Sequence, residues 1–268
     1  MRRRALDAML SKKCALVTGS VAGLGYAIAN SLAKAGAQIV LNDLCSPTEG
    51  QAAAERLAAS TGKAVMFCGA DLRRVPEIER MMHQASERFG KVDIVVNNAV
   101  VRHFSRIEEF SAEAWDTALA VNLSAAFHCI RLAVPAMRAQ GWGRIINIAS
   151  IYSSRGAESR VDYVTTKTAL VGMTRAVAIE LARTGITCNA VCPGTVPSPA
   201  ILDRIAGIAA AQGISFEDAE RDYIAPRHPT GRFVKMDSVG ALVAFLCSPA
   251  GDDITGAMLP VDGGWHAS

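Results

Sequence analysis

The chain predicts a single-domain, doubly wound α/β fold: a parallel sheet of about seven strands with helices on both faces. Three observations carry that expectation. Short β-branched apolar runs alternate with longer Ala-rich stretches along the chain. The runs are continuously apolar, as strands covered on both faces require. A glycine-rich turn follows the first run and opens a helix. The length of 268 residues suits one α/β unit, and 50% hydrophobic with 20% charged residues is ordinary for a packed core.

The strand runs fall at 14–18, 38–42, 64–68, 92–96, 144–148, 186–191 and 257–261. The stretches between them are long enough for helical crossovers. The rhythm breaks once. Residues 196–229 hold no strand run, several prolines and two helical pieces, which reads as a lid over a substrate site. At the start, three arginines precede a stretch broken by charge, so 1–11 reads as a flexible arm and not as a secretory signal.

Composition narrows the function classes. A net charge of +3 with scattered basic residues lacks the patch that nucleic-acid tracking needs. No apolar run reaches the length of a membrane span. The seven cysteines are odd in number and mostly lie in apolar runs, so they read as free buried thiols in a reducing, cytoplasmic compartment. Cys188 and Cys192 are four apart on a strand, which separates them by roughly 13 Å, too far for one metal. The five histidines do not cluster, and no metal site is expected.

The chemistry lies in a few motifs. Tyr163 and Lys167 are four apart and share a helix face. A free phenol titrates near ~10, and a fixed cation beside it favours the phenolate. That makes a proton acceptor for an alcohol, provided something else takes the hydride. Alone, this spacing is common on exposed helices. The turn from Thr18 to Gly25 supplies the partner. Gly19, Gly23 and Gly25 permit a tight turn and let a pyrophosphate approach the helix N-terminus. The second strand ends in Asp43, which would bond ribose hydroxyls and repel a 2′-phosphate. No Arg or Lys lies between Gly19 and Gly25 or beside Asp43, so NAD is favoured over NADP.

Residues 13–265 resemble the short-chain dehydrogenase/reductase family, a Rossmann-type fold. The resemblance rests on the Thr18-to-Gly25 turn, Asn97-Asn98-Ala99, Asn122, Ser150 with Tyr163 and Lys167, and Pro193-Gly194, all in family order. It implies a catalytic set of Asn122, Ser150, Tyr163 and Lys167, with Asn122 holding a relay water. It implies cofactor contacts from Gly19, Ser20, Gly23, Leu24, Gly25, Asp43, Asp71, Leu72, Asn98, Ala99, Tyr163, Lys167, Pro193, Gly194, Val196 and Ser198. It also implies a homotetramer built through helices around 113–139 and 159–183 and the last strand. Two positions depart from the family: Val100 replaces a Gly, and Ser198 replaces a Thr.

Several stretches resemble D-3-hydroxybutyrate dehydrogenases within that family, notably 121–128, 137–150 and 259–265. At the positions where those enzymes hold a substrate carboxylate, this chain places Arg102, Arg160 and Trp265, and Tyr152 where they carry His. Arg suits bidentate carboxylate binding. Arg204, in the lid, is a further candidate, and Ser150 would bond the substrate oxygen. The expected function is NAD-dependent interconversion of a secondary alcohol and a ketone on a small, carboxylate-bearing molecule such as 3-hydroxybutyrate. A sugar or sugar-acid dehydrogenase, an NADPH-dependent 3-oxoacyl reductase and a non-catalytic cofactor-binding regulator are the alternatives.

Overall fold

The computed structural model describes residues 9–268. Strands β1 (Cys14–Thr18), β2 (Gln38–Asn42), β3 (Val65–Cys68), β4 (Ile94–Asn97), β5 (Gly143–Ile148), β6 (Ile186–Pro193) and β7 (Met258–Val261) form one seven-stranded sheet. Every pairing is parallel, in the order β3-β2-β1-β4-β5-β6-β7. The order reverses between β1 and β4, and the crevice outside the carboxyl ends of those strands is where such sheets bind ligands.

Successive residues of one strand feed two separate cores, as the pleat requires. Ala15 and Val17 pack against Ile28 and Leu32 of α1 (Gly23–Lys34), Leu57 of α2 (Pro47–Thr61), and Val239 and Val243 of a late helix, Met236–Leu246. Leu16 faces the other way, toward Ile78 and Met81 of α3 (Val75–Phe89). Beyond α3 come α4 (Ala112–Leu119), α5 (Ala125–Gln140) and α6 (Val161–Leu181). Next come α7 (Pro199–Gln212) and α8 (Phe216–Ile224), and the late helix is α9.

The expected strands are all present, the first two with the expected bounds and the other five with displaced ends. β4 begins two residues late because Asp93 turns its carboxylate into the sheet end, where it accepts the Cys14 N–H at 2.9 Å. β6 runs two residues further than expected, through Pro193, and so delivers the next residues directly to the crevice.

Two expectations need correction. Leu10 is 1% exposed and its N–H donates to the Ala35 carbonyl at 2.8 Å, so residues 9–11 belong to the body of the fold; the remainder of the expected arm, 1–8, lies outside the described residues. One helical run, Ala112–Gln140, does have the length and mean hydropathy (1.4) of a membrane span. Its apolar stretch includes Cys129, Ile130, Ala133 and Met137, which bury against β4 and β5.

That run is not uniform. Residues Ala120–Ser124 form a π-helical turn between α4 and α5. Such turns add a residue to the helical ladder and recur at functional sites. Here the turn carries Asn122. A buried hydrogen-bond chain then fixes α6 to the sheet: Asn97 donates to Asn147, and Asn147 to Thr174, each at 2.8 Å. This sets the height at which Tyr163 and Lys167 face the crevice.

Candidate active site

The glycine turn is held from behind. The Thr18 hydroxyl accepts the N–H groups of Asn98 and Ala99, both at 3.0 Å. The Asn98 amide donates to the carbonyls of Thr18 at 2.9 Å and Gly19 at 2.7 Å. Gly19 has φ +60, and a Cβ there would lie 2.8 Å from the Ala99 Cα. A Cβ on Gly25 would lie 2.1 Å from the Gly19 carbonyl oxygen. The turn therefore exposes bare backbone at the N-terminus of α1, whose first turn holds no acidic residue. That geometry fits a dinucleotide pyrophosphate.

Ser20 is corrected. It is fully buried; its hydroxyl donates to the Val17 carbonyl at 2.7 Å and accepts the Asn42 N–H at 3.2 Å. Its side chain ties the turn to β1 and β2 and lines neither of the two cavities that flank the turn.

A cavity of about 350 Å³ adjoins the turn on the β2 side, lined by Asp43, Asp71, Leu72, Asn98 and Ala99 among others. The Asp43 carboxylate accepts the Val21 N–H at 3.2 Å and the Leu44 N–H at 3.0 Å. Arg73 also lines this cavity, contrary to the expectation that no basic residue stands near Asp43. Its guanidinium is forked onto Asp71, with Nε at 3.0 Å from both carboxylate oxygens and Nη2 at 2.7 Å from one. The bond to Arg73 holds the Asp71 carboxyl below its ordinary range. The Asp71 side chain is thus committed within the chain.

On the other side of the turn a larger cavity, about 1010 Å³, holds Ser150, Tyr163, Lys167, Pro193, Gly194, Val196, Ser198, Arg102, Arg160, Arg204 and Trp265. Leu24 and Gly25 line it too. Lys167 is 2% exposed and donates to the Ile148 carbonyl at 2.6 Å, with its Nζ 5.7 Å from the Tyr163 ring centroid. Burial raises the Tyr163 phenol, but the Lys167 ammonium, Arg102, and hydrogen bonds with Ser150 and Arg102 outweigh it, and the net direction is down. Lys167 is itself pushed down to about 8, by burial first, with Tyr163 opposing and Arg102 adding. Ser150 lies two residues beyond β5, capping a short 3-10 turn, and its hydroxyl accepts the Tyr152 N–H at 3.2 Å. The hydroxyl proton remains for Tyr163 or a ligand oxygen.

Asn122 lines neither cavity. Its amide bonds both backbone groups of Val101, accepting at 2.8 Å and donating at 3.0 Å. It also reaches the Thr166 hydroxyl at 3.4 Å. The π-turn thus uses Asn122 to pin the loop that carries Arg102, a role that resemblance did not imply.

That loop is fastened to the start of α6 as well. The Ser105 N–H donates to the Ser159 carbonyl at 3.3 Å, and His103 Nδ1 lies 2.9 Å from the Asp162 carboxylate. Ser159 has φ 56, a left-handed turn that swings Arg160 toward the crevice. The result is an arginine cluster. The guanidinium carbons of Arg102 and Arg160 lie 5.5 and 4.5 Å from the Tyr163 ring centroid. Arg160 and Arg204 lie 4.2 and 4.4 Å from the Phe104 ring. Trp265 closes the wall, edge-on to Tyr152 at 5.4 Å.

Two further residues matter that sequence reasoning missed. Thr18 organises the turn, and His228 holds the other rim: its Nε2 accepts the Thr195 N–H at 2.9 Å while Nδ1 faces the Arg232 carbonyl at 2.8 Å. Thr18 opens the glycine turn, so its place was legible while its clamping of Asn98 and Ala99 was not. His228 lies more than thirty residues from Thr195 and carries no local signal.

A buried Tyr-Lys pair, a serine beside it and a glycine cradle at the switch point define an oxidoreductase acting on CH–OH groups with a dinucleotide cofactor. The chain belongs to the short-chain dehydrogenase/reductase family: residues 19–266 match the family described as Enoyl-(Acyl carrier protein) reductase. It is 43% identical to a D-beta-hydroxybutyrate dehydrogenase of Cupriavidus necator, over 97% of this chain and 100% of that one. It is 41% identical to a D-beta-hydroxybutyrate dehydrogenase of Rhizobium meliloti, over 95% and 99%. L-sorbose reductase from Gluconobacter frateurii, solved with NADPH and L-sorbose, superposes with a TM-score of 0.92 at 30% identity, covering 97% of this chain and 98% of that one.

Proposed function

We propose that this enzyme reversibly oxidises a small secondary hydroxy acid, 3-hydroxybutyrate or a near relative, with NAD. The observation that carries the substrate class is the placement of Arg102 and Arg160 beside Tyr163 with no ion-pair partner among the described residues. A guanidinium stays charged under all ordinary conditions, so an anionic ligand is the natural complement.

When bound, the nicotinamide supplies the hydride acceptor. Gly19, Leu24 and Gly25 would cradle the pyrophosphate; Leu72, Asn98 and Ala99 would line the adenosine side; Pro193, Gly194, Val196 and Ser198 would flank the nicotinamide. Tyr163, ionised by Lys167, takes the hydroxyl proton. Ser150 holds the substrate oxygen, and the arginines hold the carboxylate, which fixes the carbinol carbon in place. Trp265 and Tyr152 would form the apolar wall.

Asp43 supports NAD, since its carboxylate faces the cavity where a 2′-phosphate would stand. Arg73 does not oppose this reading while Asp71 holds it. We further propose a cytoplasmic homotetramer assembled through α5 and α6, whose Phe127 and Ile179 are 52% and 79% exposed. The test is spectrophotometric: NADH formation with a panel of secondary hydroxy acids, sugar acids and neutral polyols, repeated with NADP. Turnover confined to neutral polyols would sink the hydroxy-acid reading.

A further inference from the structure

Three guanidinium groups converge where a single carboxylate would satisfy only part of them. Arg102 and Arg160 flank the Tyr163 ring, and Arg102 also bonds its hydroxyl. Arg204 comes from α7, in the insert after β6, yet shares the Phe104 ring with Arg160. Phe104 is 51% exposed, an aromatic face held open in the cleft. Among the described residues none of the three arginines forms an ion pair. The Arg160 Nε is buried and has no hydrogen-bond partner. Unpartnered buried donors of this kind are costly. By contrast, Arg73, Arg131 and Arg221 all have carboxylate partners.

The two ends of the cluster differ in what they can reach. The Arg102–Arg160 end would take the carboxylate one methylene from the carbinol carbon. Arg204, beyond Phe104, would remain unneutralised by that group. We infer that the substrate is a hydroxy acid bearing a second anionic group, a carboxylate or a phosphate, at the end away from the first. The inference rests on the hydroxy-acid reading above and narrows it.

The test compares 3-hydroxybutyrate with 3-hydroxyglutarate, which carries a second carboxylate, and with 3-hydroxy-4-phosphooxybutyrate, which carries a phosphate at the same end. The expected result is a kcat/KM for one dianion at least about tenfold above that for 3-hydroxybutyrate. The arm that gains identifies the second group. Arg204→Gln should then reduce the dianion's kcat/KM at least about tenfold more than the monoacid's. A second readout is independent of turnover: calorimetry should show glutarate binding the holoenzyme more tightly than butyrate, with the gap reduced in R204Q. Equal or better turnover of 3-hydroxybutyrate, with no effect of R204Q on the ratio, would overturn the second anion and leave the hydroxy-acid reading standing. Absence of turnover with every hydroxy acid would overturn both.

Discussion

Arg73 and Arg160 stand at opposite ends of one crevice, and they differ in whether the chain neutralises them. Arg73 is forked onto Asp71. Arg160 has aromatic neighbours, an orphaned Nε and, among the described residues, no ion pair. The same residue type is thus neutralised at one end and left with an unpartnered donor at the other. The surrounding architecture differs likewise. The cofactor end is built from β1, β2 and β4 with backbone clamps from Thr18 and Asn98. The substrate end is built from a loop, a left-handed serine and a helical insert. Rigid scaffolding serves the invariant ligand, and the adaptable segments carry specificity.

The largest effect should come from the residue between the two ends. Tyr163→Phe removes the proton acceptor and should lower kcat by about 10² to 10⁴-fold while leaving cofactor affinity, read by NADH fluorescence, intact. Retained turnover would break the assignment. Arg160→Ala should raise the apparent KM for acidic substrates by roughly 10- to 100-fold, the worth of one charge-assisted hydrogen bond, with the cofactor KM unchanged.

At the cofactor end, Gly25→Ala puts a Cβ against the Gly19 carbonyl, and the forced shift should cost about 1–3 kcal/mol, seen as weaker NADH binding and a lower Tm. Asp43→Asn removes the charge opposing a 2′-phosphate and should move the NADP to NAD ratio of kcat/KM by about tenfold. An unchanged ratio would assign cofactor choice elsewhere in that cavity.

The smallest effect links the two ends. Alcohol oxidation needs ionised Tyr163, so activity falls as pH drops through its pKa. Arg102 helps hold that pKa down. Arg102→Gln should therefore move the acid limb of the pH–rate profile to higher pH, by less than about one unit for so exposed a cation. A shift to lower pH would contradict the stated electrostatics.

Much of the fold was legible in residues alone. Continuous apolar strands announce burial on both faces, and the glycine turn after β1 announces the ligand end. Tyr163 and Lys167 could be paired because i,i+4 spacing on a helix has one geometry, and the family resemblance set Ser150 beside them. Leu10 was misjudged because its neighbours are charged, and only the Ala35 carbonyl explains its burial. Ser20 was misjudged because position in a motif does not say which way a hydroxyl turns.

The sequence by itself determined the layers, the cofactor turn and the proton-transfer pair, since these depend on local periodicity and short spacing. Only the tertiary structure decided the rest. It brought Arg73 to the Asp43 cavity and then neutralised it. It turned Asn122 inward onto Val101 through a π-turn. It gathered Arg102, Arg160 and Arg204 from three separate segments around Phe104 and Tyr163. Contacts between residues distant in the chain follow from packing, and packing leaves no period in the sequence to read.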